Sequence, residues 1–317
     1  MALAVDAIIA GRLRDGEIAA LLTSLADKGE TIPEIAGAAT AIRRHMTPIR
    51  SRRTGILDTC GTGGDAAGTF NISTAAALVS AAAGVPVAKH GNRSVTSKSG
   101  SADVVAALGV NIDASVEQVE ACLDDLGIGF CFAPLLHPAM KRVAAVRRQL
   151  ARPTIFNMLG PLCNPASAPF QLLGVGRPGL RPLLAGALAL LGTRRALVVW
   201  GEDGLDELTL AGGTRVTCVG EGADCEWRWT PADFGLDAAP LDGLRVSDPQ
   251  QSAAVIRGVL AGDRGPARDI VVLNSAAALL AAGRSTDPRT CAQIASEAID
   301  SGAADGLLAE LARKSHG

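Results

Sequence analysis

CGTGGD (60–65), FNIST (70–74) and KHGNRSVTSKSGSAD (89–103) follow one another closely, and no acidic side chain occurs from Ala66 to Ala102. The formal charges in that stretch are Lys89, Arg93 and Lys98, all positive. Gly61, Gly63, Gly64 and Gly68 allow the backbone to approach a ligand and turn its N–H groups inward. Ser and Thr hydroxyls add donors, and lysine supplies charge for groups with several negative oxygens. A segment that gathers these features and excludes carboxylates is suited to a polyanion such as a phosphate or diphosphate ester.

The order of elements gives the fold class. Gly55–Cys60 reads as a short strand and GTGGD as the turn at its end. Asn71–Thr74 opens an Ala-rich helical run to Ala83, stopped by Gly84, with Ser73 or Thr74 placed to cap it. A helix start of this kind attracts anions. Val85–Ala88 reads as the next strand and delivers Lys89. Two loops therefore lie at the ends of neighbouring strands, where open α/β sheets bind ligands.

Neither common phosphate fingerprint is complete. No Gly-Lys-Ser/Thr follows the glycines, so the P-loop pattern fails. Gly61-Thr-Gly63-Gly-Asp-Ala66 satisfies G-x-G-x-x-G/A, but that motif needs an acid about 20 residues on to hold a ribose. The next acid after Asp65 is Asp103.

At 317 residues the chain has room for a large core and two domains. Its 48% hydrophobic and 20% charged residues suit an ordinary globular protein, and a net charge of −2 argues against nucleic acid or an anionic membrane as main partner. Seven scattered cysteines without a C-x-x-C pair, and four histidines, disfavour zinc and read as reduced thiols. Cys218 and Cys225 read as incidental rather than paired. No targeting segment or membrane span stands out, which points to the cytoplasm.

Helical pattern covers Leu3 to His45 in two or three pieces and resumes from Pro138 to Leu150. Strands are expected at Ala196–Trp200, Arg215–Val219 and Ile270–Leu273, the last followed by an Ala-rich helix. The alternation predicts an α/β protein: a mainly parallel sheet flanked by helices.

Two more clusters carry chemistry. Gly201-Glu-Asp-Gly-Leu-Asp-Glu207 sets four carboxylates just after a strand; on spacing alone it is a solvated turn or a Mg²⁺ site. The helix after His137 carries Lys141, Arg142, Arg147 and Arg148, either a solvated basic face or a carboxylate-binding one. His137 either caps that helix or meets a substrate. Arg43, Arg44, Arg50, Arg52 and Arg53 lack aromatic companions for base stacking and read as a solvated face near an interdomain hinge. Trp227 and Trp229 read as surface packing.

Taken with FAPLLHPAM (132–140), TIFNMLGPLCNP (154–165) and GLDELTL (204–210), the three opening motifs resemble the anthranilate phosphoribosyltransferase family, in its order. The resemblance implies transfer of phosphoribose from phosphoribosyl pyrophosphate (PRPP) to anthranilate in tryptophan biosynthesis, with Mg²⁺ and a homodimer. It implies a small helical domain (1–50 and 136–168) and a larger α/β PRPP-binding domain (51–135 and 169–317). Carried over, the PRPP residues are Gly61, Gly64, Asp65, Thr69, Asn71, Ser73, Thr74, Lys89, His90, Gly91, Asn92, Arg93, Ser94, Ser97 and Ser101. Those for anthranilate are Gly61, Asn92, His137, Arg147 and Asn157, and those for metal are Ser73, Asp206 and Glu207. Two positions depart from the family: the Arg before TIFN stands one place early, at Arg152 ahead of Pro153, and Trp200 precedes the acidic turn. Both are candidates to reshape the acceptor channel.

Anthranilate's amine is a weak neutral nucleophile, while charge develops on the leaving pyrophosphate. The chemistry therefore calls for positioning and electrostatics rather than a strong base, and no His-Asp or Cys-His dyad is evident. Two alternatives share the fold: a pyrimidine nucleoside phosphorylase, and a non-catalytic nucleic-acid-binding paralogue.

Overall fold

The structure is a computed structural model that describes residues 1–93, 100–220 and 225–317. Its centre is a seven-stranded sheet in the order β3-β2-β1-β4-β5-β6-β7. The strands are β1 (Leu57–Gly61), β2 (Val87–Gly91), β3 (Ile128–Phe132), β4 (Phe170–Gly174), β5 (Arg195–Gly201), β6 (Thr214–Gly220) and β7 (Glu226–Trp229). β1 to β5 run parallel, and β6 and β7 are antiparallel additions.

Three helices precede the sheet: α1 (Ala2–Ile9), α2 (Asp15–Lys28) and α3 (Ile32–His45). Between strands come α4 (Ile72–Ala82), α5 (Ser101–Ala107), α6 (Val116–Leu126), the short α7 (Ala133–Leu136), α8 (Lys141–Leu150), α9 (Phe156–Leu159) and α10 (Leu180–Leu190). The chain ends in α11 (Pro249–Leu260), α12 (Pro266–Ala281), α13 (Pro288–Asp300) and α14 (Ala303–Lys314). None of the described helices is long and apolar enough to cross a membrane.

Both sheet faces are covered, so β5 reads as a continuous apolar run instead of alternating with polar residues. Its side chains still alternate in direction: Leu197 and Val199 enter one core, Ala196 and Val198 the other. The first core joins the sheet to α4, α12, α13 and α14. The second joins the opposite face to α10, to α1–α3, and to Val143, Val146, Ile155 and Phe156 of the 140–162 segment. Through α10, which packs on α3, the N-terminal helices are seated on the sheet.

Several expectations shift. Ile270–Leu273 is not a strand but the middle of α12, begun by Pro266 and buried on all sides against α4. A short β-branched run inside an enclosed helix has the same appearance as a buried strand. β2 starts two residues later than expected, so Lys89 and His90 lie within the strand. The strand near Arg215–Val219 is antiparallel, and the Trp227–Trp229 pair belongs to β7, with the rings stacked at 5.2 Å. The arginine cluster keeps its solvated reading, with Arg44, Arg50, Arg52 and Arg53 exposed and Arg43 partly buried. Arg43 donates to the Leu162 carbonyl, Arg44 pairs with Asp6, and Arg52 pairs with Asp124. Arg53 donates to the carbonyls of Asp124 and Asp125 at the end of α6.

Candidate active site

The parallel strands end along one rim, and the chain order reverses between β1 and β4. Ligands in open α/β sheets occupy the crevice at such a reversal. A cavity of about 600 Å³ opens there, between the strand ends and the α8–α9 segment. Its sheet wall includes Gly61, Gly64, Asp65, Thr69, Asn71, Ser73, Lys89, His90, Gly91, Asn92, Arg93, Ser101, Asp206 and Glu207. Its helical wall includes His137, Arg147 and Asn157. Thr74 does not line this cavity: its side chain is buried and borders a separate small apolar cavity. Nor does Ser73 or Thr74 cap α4. Asn71 does, its Oδ1 accepting from the Thr74 N–H at 3.0 Å. Ser94 and Ser97 fall outside the described residues.

The acidic turn reaches the cavity because glycines let it. A Cβ at Gly174 would stand 1.5 Å from the Asp206 carbonyl oxygen, and one at Gly61 would stand 2.5 Å from Asp206 Oδ2. That Oδ2 accepts from the Gly63 N–H at 2.9 Å. The loop itself holds φ at +67° for Gly63 and +81° for Gly64, conformations that side chains disfavour.

Burial pushes the Asp206 carboxyl up to about 7, helped by repulsion from Asp65 beside it. Burial and the Asp206 charge push Glu207 well above the usual range, against the pull of Lys89 and a hydrogen bond from the Ser73 N–H. Lys89 is itself buried, donating from Nζ to the Thr59 carbonyl at 2.6 Å and to Ser73 Oγ at 3.2 Å. Its Nζ thus supports Ser73 from behind, and the two carboxyls in front resist ionising until a cation takes the place of their protons. No three His, Cys, Asp or Glu side chains among the described residues are grouped to hold a metal alone. Mg²⁺ needs only one or two carboxylates when waters and phosphates complete its octahedron. Asp206, Glu207 and Ser73 Oγ, all hard oxygen donors, fit such an ion.

The other two acids of the turn stay structural. Glu202 is held by Arg215 at 2.8 Å and Arg228 at 2.6 Å. Asp203 accepts from the Leu205 N–H and from the Thr209 hydroxyl.

Where the walls meet, His90 Nε2 and His137 Nε2 lie 3.1 Å apart. Burial pushes His90 down to about 3 and His137 to about 4, so both are neutral near pH 7. His137 makes no side-chain capping bond to the helical turn that follows it, which removes the capping reading.

On α8, Arg147 is half-buried and faces the cavity, its guanidinium 5.8 Å from the Phe156 ring centre. Burial alone lowers its pKa, with no carboxylate opposing the shift. Arg148 is exposed and lies outside the cavity lining. Sequence reading missed Ile42, Met140, Ala144 and Phe156, the apolar surface around Arg147. Phe156 was within reach, since it lies inside TIFN; Ile42 looks like any core residue of an amphipathic helix. Neither Pro153 nor Trp200 lines the cavity.

Comparison with known proteins agrees with this geometry. Residues 53–305 match the α/β domain of a glycosyl transferase family, and residues 1–46 match its helical bundle domain. Anthranilate phosphoribosyltransferase from Rhodopirellula baltica is 50% identical over 308 residues, covering 97% of this chain and 90% of the relative. The crystal structure of the Thermus thermophilus enzyme superposes with a TM-score of 0.94 at 44% identity, over 100% of this chain and 94% of that one. The Saccharomyces cerevisiae enzyme in complex with PRPP and Mg superposes at 0.88 with 31% identity, over 95% of this chain and 85% of that one. A two-walled cleft at the sheet's reversal, with full-length similarity around it, leaves one conclusion: the chain belongs to the anthranilate phosphoribosyltransferase family, enzymes that transfer phosphoribose to anthranilate in tryptophan biosynthesis.

Proposed function

We propose that the sheet wall holds PRPP and the helical wall holds anthranilate, so that the acceptor amine meets the anomeric carbon between them. The observation that carries this reading is the separation of charge. Arg147 and Lys141 give the helical wall positive charge with no carboxylate among its described lining residues, and the acid pair and phosphate-suited loops lie opposite. A planar guanidinium matches a carboxylate in two hydrogen bonds, and Phe156 beside it favours an aromatic ring.

In this reading the 61–65 turn and the start of α4 receive the diphosphate and ribose, with Lys89 fixing Ser73. Asp206, Glu207 and Ser73 would hold Mg²⁺, which would supply charge neutralisation for the leaving pyrophosphate. His90 and His137, both neutral, add no charge where the two walls meet. Arg147 fixes the ring so that the amine nitrogen points at the sugar, and the amine loses its proton once the C–N bond has formed. Rate enhancement then comes from orientation and fixed charges.

The same reading divides the chain into 1–50 with 136–168, and 51–135 with 169–317. The packing of α1–α3 against α8 and α9 supports it, and the same core continues onto α10 and the sheet. A homodimer and a cytoplasmic location complete the proposal. The test is a fluorescence assay: anthranilate emission should fall with time only when PRPP and Mg²⁺ are both present. No loss with PRPP, but cleavage of a pyrimidine nucleoside by inorganic phosphate, would replace this reading with phosphorolysis.

A further inference from the structure

Six of the seven cysteines are buried; Cys225 alone is partly exposed. It begins the edge of the sheet, immediately before β7, and it stands opposite Cys218 of β6. The antiparallel register that pairs Thr217 with Glu226 continues to this pair, and the Cys218 N–H donates to the Cys225 carbonyl at 3.1 Å. Residues paired by such a bond across antiparallel strands have Cα atoms ~5.5 Å apart. A disulfide accepts Cα separations of about 4.4–6.8 Å. Both side chains lie on the sheet face that packs on the larger core, Cys218 within it and Cys225 against it. Burial, and after it the neighbouring Cys225 thiol, push the Cys218 thiol up.

We propose that Cys218 and Cys225 are a thiol-oxidation site that closes reversibly into a cross-strand disulfide when a small disulfide such as oxidised glutathione is present. Access decides the order of steps. The Cys225 thiolate attacks one sulfur of the reagent, forming a mixed disulfide and releasing one glutathione thiol. Cys218, losing its proton to water, then attacks Cys225 Sγ and expels the second glutathione. Two protein thiols lose two electrons in all, and one reagent disulfide becomes two thiols.

The place of the pair matters to the cleft. Arg215 of β6 and Arg228 of β7 both grip Glu202, on the same turn as Asp206 and Glu207. A covalent tie across β6 and β7 would join the two strands that carry this two-arginine clamp.

The test treats the full-length folded protein with oxidised glutathione, blocks remaining thiols, digests and maps linkages, alongside Cys218→Ala and Cys225→Ser. The expected product is a Cys218–Cys225 link, reversed by dithiothreitol and formed at least about tenfold faster than any other thiol is modified. Cys218→Ala should stop at a glutathione adduct on Cys225, and Cys225→Ser should resist modification. A wild-type protein that accumulates the Cys225 adduct with Cys218 still free would overturn the proposal. So would equal modification of Cys218 in the Cys225→Ser variant.

Discussion

The two walls of the cleft are built by opposite means. On the sheet wall, the chemical groups sit within a few residues of a strand's C-terminal end; backbone N–H groups of Gly63 and Ser73 meet Asp206 and Glu207, and the Lys89 side chain supports Ser73. The helical wall draws Ile42 from α3, Lys141 and Arg147 from α8 and Phe156 from α9, and shows two cations and no carboxylate among the described residues. Charge is dense and buried on one side, sparse on the other. A wall of fixed backbone suits the donor, whose charge changes during reaction, and a wall of packed side chains suits the choice of acceptor.

If that division is right, the greatest loss comes from the sheet wall. Asp206→Ala with Glu207→Ala should lower kcat by at least about 10²–10³-fold, the scale for losing transition-state charge stabilisation. The rate should also lose its dependence on Mg²⁺, while anthranilate affinity changes little. Mg²⁺-dependent turnover at the original level would return the turn to a solvated role.

Glycines give the next contrast. At Gly174 an added Cβ meets the Asp206 carbonyl at 1.5 Å, so Gly174→Ala must push the acidic turn out of place. The variant should raise the Mg²⁺ and PRPP concentrations needed for half-maximal rate by about 10- to 100-fold, equivalent to ~1.4–2.8 kcal/mol. Gly64 has open space around it, and its cost is conformational, from φ at +81°. Gly64→Ala should therefore lose about 1 kcal/mol of loop stability and shift PRPP less than Gly174→Ala does. A reversed ranking in PRPP titrations would show that the loop, rather than the acidic turn, limits donor binding.

The same contrast explains what the sequence made legible. CGTGGD, NIST and KHGN are contiguous, and a strand end converts neighbours in sequence into neighbours in space, so most of the sheet wall was visible before the fold. The Thr74 side chain leaves the cleft because the first turn of α4 points successive residues in different directions, one to the cleft and the next into the core. The apolar helical wall was largely hidden, since nothing local separates Ile42 or Met140 from ordinary packing. Ile270–Leu273 failed for a related reason: an enclosed helix has no polar face to reveal its period.

Arg147 tests the sparse wall. A hydrogen bond to a charged group contributes about 1.5–3 kcal/mol, so Arg147→Ala should raise the anthranilate KM by roughly 10- to 100-fold. The PRPP KM should stay near its original value, and Arg148→Ala should change neither, because Arg148 faces solvent. An equal rise in both KM values would mean that the walls do not divide the substrates.

The smallest effect lies where the walls touch. His90 belongs to β2, His137 to the segment that leads into α8, and their Nε2 atoms are 3.1 Å apart. Burial lowers the two from an ordinary 6.5 to about 3 and about 4. Between pH 6.5 and about 4 the unfolded chain therefore binds protons that the native pair refuses, and stability falls as pH falls. Each histidine accounts for up to about 1.4 kcal/mol per pH unit inside that window. Melting temperature should drop by a few degrees per unit below pH 6.5, on top of any loss from other groups. His137→Gln removes one of the two, keeps a polar partner for His90, and should flatten the slope by roughly half the pair's share. Parallel slopes for the two proteins, measured by calorimetry from pH 7.5 to 5, would place the acid sensitivity elsewhere and leave the contact between the walls electrostatically silent.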